Sequence, residues 1–110
     1  MRTLVAAAAV ALAGIGPAAA HPCDQDAIAR ATPLLKLHFE ETGDIPNMGI
    51  DDTVKQLAPV KALKGKGKFD VLEVWGHIYK ADYRMHFIYA QIAGSCVLMG
   101  QEIIEASDPY

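Results

Sequence analysis

Residues that mark the common hydrolytic and redox enzymes are scarce in this chain of 110 residues. Beyond residue 20 the serines are Ser95 and Ser107, and neither stands in a nucleophile motif such as G-x-S-x-G. The two cysteines, Cys23 and Cys96, do not form a C-x-x-C redox or metal motif. The sequence therefore favours a protein without catalytic activity, and a small enzyme is kept as an alternative.

Positive charge is also low, since 10 lysines and arginines stand against 13 aspartates and glutamates. The net charge is −3, and removal of Arg2 lowers it to −4. This mildly acidic balance argues against nucleic acid as a partner. Four lysines nonetheless cluster between positions 61 and 68, with no carboxylate between Asp52 and Asp70. We interpret this stretch as a solvated strand edge, with an anionic glycan, a phosphate or an acidic partner as alternatives.

Long apolar runs are limited to the N-terminus, where Leu4–Ile15 follows Arg2 and precedes three alanines at 18–20. This order is typical of a cleavable secretory signal peptide. The run is shorter than the ~20 residues that a membrane span needs. We therefore predict a signal peptide over residues 1–20, export to the periplasm or outside the cell, and a single domain over 21–110 without a membrane span.

Cys23 and Cys96 lie near the two ends of the predicted domain. In an oxidising compartment two cysteines have one intramolecular pairing, and closing so long a loop contributes roughly 4 kcal/mol on the chain-entropy model. We predict a structural disulfide.

The segment Asp24–Glu41 predicts a helix with Asp24 as its N-cap and Gly43 beyond its end. Pro33 predicts either a kink or a helix that restarts after Thr32. Apolar residues recur at helical spacing along one face, namely Ile28, Ala31, Leu35 and Phe39. Residues 44–49 are expected to form a loop, and Asp51 or Asp52 to cap a short helix that ends at Leu57.

From Val60 onward the pattern changes to strands joined by short connections, which predicts a four-stranded antiparallel meander. The predicted strands are Val60–Leu63, Val71–Tyr79, Tyr83–Ile92 and Cys96–Ile104. In the last strand we expect Leu98 in the core, Val97 and Met99 outside, and a bulge near Gly100.

A two-residue turn at Ala81-Asp82 predicts the register of the central hairpin, because a shift by one residue would mix its apolar and polar faces. The predicted pairs are Ile78–Met85, Gly76–Phe87 and Val74–Tyr89 on the apolar face, and Tyr79–Arg84, His77–His86, Trp75–Ile88 and Glu73–Ala90 on the other. The expected fold is thus α+β, with an N-terminal helix packed on the sheet. This order of elements resembles cystatin-like and nuclear-transport-factor-like folds. The Q-x-V-x-G loop of cystatins is absent, so the resemblance concerns architecture and carries over no functional residue.

The face of the hairpin that points away from the helix is the main candidate site. It gathers residue types that are common in interface hot spots, namely Trp75, His77, Tyr79, Arg84 and His86. We therefore predict a small exported, disulfide-stapled binding module, an inhibitor or accessory protein, that acts through this face on another exported or cell-envelope protein.

A metal site is the main alternative, although no cofactor is expected. Opposed imidazoles of His77 and His86 could share Zn²⁺ or Cu²⁺, with Glu73 as a more distant ligand. Cleavage after residue 20 would also make His21 the first residue, whose amine and imidazole can chelate copper. Two ligands without a fixed third are a weak metal signal, so we rank protein binding above metal binding and above a small enzyme.

Overall fold

The computed structural model describes residues 20–106, and within them one helix packs on one face of a five-stranded antiparallel sheet. This confirms the α+β class. Residues 1–19 of the predicted signal peptide lie outside the described residues. Among residues 20–106 no helix has the length and apolarity that crossing a membrane requires. The elements are α1 (Asp24–His38), β1 (Met48–Ile50), β2 (Lys55–Lys61), β3 (Lys68–Ile78), β4 (Ala81–Ala90) and β5 (Leu98–Glu105).

Helix α1 is shorter than predicted and has different caps. Its N-cap is Cys23 rather than Asp24, which is the first helical residue. The helix runs through Pro33 without restarting. Glu40 has a φ of 53°, its N–H bonds to Leu37 O, and the Glu41 N–H bonds to Lys36 O. These are the paired bonds of a Schellman motif, so the helix ends at a left-handed glutamate instead of at Gly43.

The strands keep the predicted meander order, but two strands, β1 and β2, form the edge next to β3 where one was predicted. Strands β1 and β2 both pair with β3, on the same side of it. The predicted loop over 44–49 and short helix ending at Leu57 are therefore wrong at Met48–Ile50 and Lys55–Leu57. Strand β2 contains Pro59, and the register shifts between Leu57 and Val60. A bulge on an edge strand is where proline is tolerated, because a ladder hydrogen bond is missing there anyway.

The β3–β4 hairpin has the predicted faces but a different register. The turn lies at Tyr79-Lys80, with Tyr79 at a φ of 55°, instead of at Ala81-Asp82. Every cross-strand partner is displaced by four residues, so that Ile78 faces Ala81 rather than Met85. Because four is an even number, each side chain stays on its predicted face while its partner across the strands changes.

Strand β5 confirms the predicted irregularity near Gly100. Ile88 pairs with Gly100 and Tyr89 with Leu98, so Met99 is the extra residue of a bulge. Leu98 packs against the core, and Val97 and Met99 are exposed, as predicted.

The core lies between α1 and the inner face of β3, β4 and β5. The helix contributes small residues, Ala27 and Ala31, that let it approach the sheet, together with Leu34 and Leu35. Leu35 fills the space above Gly76, because a Cβ on that glycine would lie 2.8 Å from Leu35 Cδ1. The predicted pairing of Gly76 with Phe87 is wrong, since Gly76 pairs with Tyr83.

Two further links hold the helix to the sheet. Cys23 and Cys96 form the predicted disulfide, with their Cα atoms 5.7 Å apart. The buried Tyr89 hydroxyl donates to Asp26 Oδ2 at 2.7 Å, and Arg30 Nε donates to the same oxygen. Burial, and then the bond to Asp26, raise the pKa of Tyr89. The helix is thus tied to the sheet at its N-terminal half by a covalent and a polar contact.

Candidate functional site

The outer face of the sheet is the side away from α1, and no other described element covers it. Its side chains come from alternate positions of the strands and lie in rows across them. One row is polar and contains Lys55, Glu73, His86 and Glu102. The next contains Trp75, Arg84 and Ile104, and on the other side lie Leu57, Val71 and Ile88. We call these residues, with His77 and Asp82, the outer face.

His86 sits in the middle of the polar row, between a carboxylate on each neighbouring strand. Its Nε2 lies 2.8 Å from Glu73 Oε2 and its Nδ1 lies 2.7 Å from Glu102 Oε1. Each ring nitrogen of His86 thus lies within hydrogen-bond distance of a carboxylate oxygen, which accepts hydrogen bonds. The ring therefore links β3, β4 and β5 through its contacts with two carboxylates.

Glu73 is the buried member of this network, with 8% of its surface exposed. Burial opposes its ionisation, but bonds donated by His86 and by Trp75 Nε1 outweigh that effect and lower the pKa of its carboxyl. The 2.9 Å bond from Trp75 also holds the indole ring at one edge. An ionised carboxylate thus fixes two neighbouring aromatic side chains.

His77 forms a second cluster at the end of the outer face. Its Nδ1 lies 2.7 Å from Asp82 Oδ1, and its Nε2 lies 2.9 Å from Asp51 Oδ1. The bond to Asp82 raises the pKa of His77 most, burial opposes it, and the bond to Asp51 adds to the increase. The two aspartates thus favour the protonated form of His77, and His86 likewise lies between two carboxylates.

Arg84 lies directly across from Trp75, whereas the predicted register placed it opposite Tyr79. Its Nε is buried and makes no hydrogen bond within residues 20–106. Tyr79 occupies the turn and has 76% of its surface exposed. The five predicted residues thus divide into Trp75, Arg84 and His86 at the centre of the sheet, and His77 and Tyr79 at its end.

The predicted opposition of His77 and His86 is wrong. His77 pairs with Asp82 and His86 with Glu73, which separates the histidines by four strand positions, about 13 Å. Within residues 20–106 no three histidine, cysteine or carboxylate side chains form a metal-binding group. The two histidines are therefore not opposed, as the predicted shared Zn²⁺ or Cu²⁺ site required.

His21 also uses both of its ring nitrogens. Its Nδ1 accepts the Cys23 N–H at 3.0 Å, so the proton is on Nε2, which donates to Asp70 at 2.9 Å. This bond, with a second one from Gln91, lowers the pKa of Asp70. The group lines an open depression of about 360 Å³ beside the disulfide. His21 thus anchors the chain before α1 and lies away from the outer face.

The interior between helix and sheet is where a small enzyme of this architecture would hold its substrate. Leu35, Phe87 and Tyr89 are fully buried there and fill the centre of the interface. A groove of about 260 Å³ between α1 and Gln101 is lined mainly by apolar residues. No observation on residues 20–106 favours the enzyme alternative.

Three carboxylates of the site were missed or misplaced at the sequence level. Asp51 was expected to cap a helix and Asp82 to lie in a turn, and Glu102 was not assigned to the outer face. Glu102 was recoverable from the bulge near Gly100, because the extra residue returns it to the outer face opposite His86. Asp51 had no such signal, since its position depends on β1 pairing with the end of β3.

Within residues 20–106 the structure is a disulfide-stapled α+β module in which no described element covers the outer face. The chain matches no protein-family model, no curated protein and no solved structure.

Proposed function

We propose that this protein is an exported binding module that captures another exported or cell-envelope protein through the outer face of its sheet. The observation that supports this proposal is the preorganisation of that face. Glu73 and Val71, which lie on it, have 8% and 5% of their surface exposed, although no described element covers them.

Preorganisation lowers the entropic cost of association, because side chains that are already fixed lose less freedom on binding. Trp75 is held by its bond to Glu73, and His86 is held from both sides. Arg84 stands beside the tryptophan in the same row. Tryptophan and arginine are the residue types that most often dominate the energy of protein interfaces. The centre of the face therefore has the composition and the rigidity of a binding hot spot.

Export is part of the proposal and is supported by two features. The apolar N-terminal run has the order of a signal peptide. The Cys23–Cys96 disulfide is of the kind that persists in oxidising compartments. An inhibitor and an accessory protein are both binding modules in this sense.

The test is capture of a partner from the exported proteome by the purified protein, followed by binding measurements with that partner. We expect Trp75→Ala and Arg84→Ala each to weaken binding about thirtyfold, which corresponds to the loss of a hot-spot residue. Leu37→Ala is the matched control, since Leu37 is exposed on the helix at the opposite side of the molecule.

Tyr79→Asn guards against the objection that the central variants misfold. Tyr79 lies in the turn with positive φ, which asparagine tolerates, and its side chain is exposed. A smaller loss of binding is expected from this variant. If Trp75→Ala and Arg84→Ala remain folded by circular dichroism and bind as the wild type does, the outer face is not the binding surface.

A further inference from the structure

The connection between β2 and β3 is the most basic part of the molecule. Residues 61–68, which we call the lysine hairpin, contain four lysines and no carboxylate. Within residues 20–106 none of these lysines forms an ion pair, whereas Lys36 pairs with Asp44 and Arg30 with Asp26. The positive charge of the lysine hairpin is therefore not neutralised by the rest of the described chain.

Leu63 stands at the tip of this hairpin and is fully exposed, at 104%. The Ala62 N–H bonds to Gly67 O and closes the loop, and Gly65 adopts a φ of 79° within it. Leu63 thus lies exposed in a hydrogen-bonded loop just before the first residue of β3. Scattered exposed apolar residues are common on proteins. An apolar tip that is surrounded by unpaired lysines is the pattern of segments that lie at a bilayer interface.

A concavity of about 300 Å³ lies beside the tip and is lined by Lys61, Lys66 and Lys68 with two glycines. Three lysine residues thus border one open space. Three lysines around a space of this kind suit an anionic headgroup. The hairpin thus combines a cationic recess with an apolar projection.

We propose that the lysine hairpin docks the protein on a membrane surface that contains anionic phospholipids. Leu63 enters the headgroup and upper acyl region, and the lysines neutralise lipid phosphates around it. A soluble polyanion, such as a sulfated polysaccharide, would use the lysines and leave Leu63 in water. The position of the leucine is what favours the lipid surface over such a polymer.

The acidic residues outside the lysine hairpin determine how the protein is oriented on the membrane. The chain beyond the hairpin carries Glu73, Asp82, Glu102 and Glu105, and an anionic surface repels them. The opposite end of β3, at Tyr79-Lys80, lies about 33 Å from the hairpin. The protein therefore stands with its lysine hairpin on the membrane, and the centre of the outer face remains free for a protein partner.

The experiment is flotation of the exported, processed protein with vesicles of phosphatidylcholine, with and without phosphatidylglycerol. We expect binding only to the anionic vesicles, and we expect it to weaken as salt is added. Leu63→Ser should reduce affinity about tenfold, through loss of a buried leucine. The double variant Lys64→Gln/Lys66→Gln should reduce it about 25-fold, at about fivefold for each lysine near an anionic surface.

Matched controls lie elsewhere on the molecule. Leu37→Ser removes another exposed leucine, and Lys80→Gln removes a lysine at the other end of β3. Both should bind as the wild type does. Inorganic phosphate should not displace the protein from vesicles beyond the effect of its ionic strength.

Three results would overturn the proposal. The first is no binding to anionic vesicles. The second is binding that Leu63→Ser leaves unchanged, with equal affinity for a sulfated polysaccharide, which would identify a soluble polyanion site. The third is an equal loss in Leu37→Ser and Lys80→Gln, which would identify non-specific adhesion.

Discussion

The two faces of the sheet are built from the same strands and reach order in different ways. The inner face is apolar, is covered by α1, and is closed by Leu35 against Gly76. The outer face has no cover among the described residues, and its order comes from histidines held between carboxylates. The inner face excludes water by apolar packing, whereas the outer face orders its charged side chains while exposed to water.

This difference shows that exposure and order are separate properties of a surface. His86 and Glu73 lie on the open face, yet each makes two directed side-chain contacts. Charged contacts near water contribute less free energy than apolar burial, because solvent screens them. Changes on the inner side should therefore cost stability, and changes on the outer face should mainly alter charge and binding.

The largest expected effect comes from removing the disulfide that holds α1 against the inner face. Replacing both cysteines, as in Cys23→Ala with Cys96→Ala, releases α1 from the chain before β5. On the chain-entropy model we expect the free energy of unfolding to fall by roughly 4 kcal/mol. Denaturant unfolding followed by circular dichroism measures it. A fall below about 1 kcal/mol would show that packing alone holds the helix.

A matched pair of glycines compares the two faces directly. Gly76→Ala on the inner face places a Cβ 2.8 Å from Leu35 Cδ1, and we expect a loss of about 1–3 kcal/mol in stability. Gly49→Ala on the outer side meets no atom within 4 Å and should leave stability unchanged or raise it by up to about 1 kcal/mol. Equal losses in thermal or denaturant unfolding would contradict the assignment of the faces.

The smallest expected effect is the pH-dependent contribution of His77, on the outer face, to the free energy of unfolding. The folded pKa of His77 lies above its ordinary value of 6.5. Its contribution to stability is therefore fully present below about pH 6.5 and is lost as pH rises through the folded pKa. The side chain is 39% exposed, so screening keeps the contribution below about 1 kcal/mol.

The measurement is the free energy of unfolding as a function of pH above 6.5. His77→Gln should remove this part of the pH dependence. Asp51→Asn should remove some of it, because Asp51 supplies one of the two carboxylates. An unaltered pH dependence in His77→Gln would mean that the cluster contributes no net stability.

The sequence predicted those parts of the fold in which one physical constraint dominates. The alternation of apolar and polar residues assigned Val74, Met85 and Phe87 to the core face, and all three are buried. The count of cysteines predicted the disulfide. The bulge near Gly100 followed from the need to keep Glu102 out of the core.

The other elements depended on contacts that are distant in sequence. Strand β1 is three residues long and exists because it pairs with the end of β3. The segment before Pro59 contains good capping residues, so local preference favoured a helix, but pairing with β3 makes it a strand. The helix end also departed from expectation, since Glu40 takes the conformation that glycine normally supplies.

The sequence by itself determined which side chains share a face, because strand alternation has a period of two residues and needs no partner. Only the tertiary structure decided which side chains meet across the strands. A shift of four residues leaves every face intact, so alternation cannot distinguish the two registers. The turn at Tyr79-Lys80 and the fit of Leu35 over Gly76 accompany the observed register. That register places His86 beside Glu73 and Glu102, and His77 between Asp51 and Asp82.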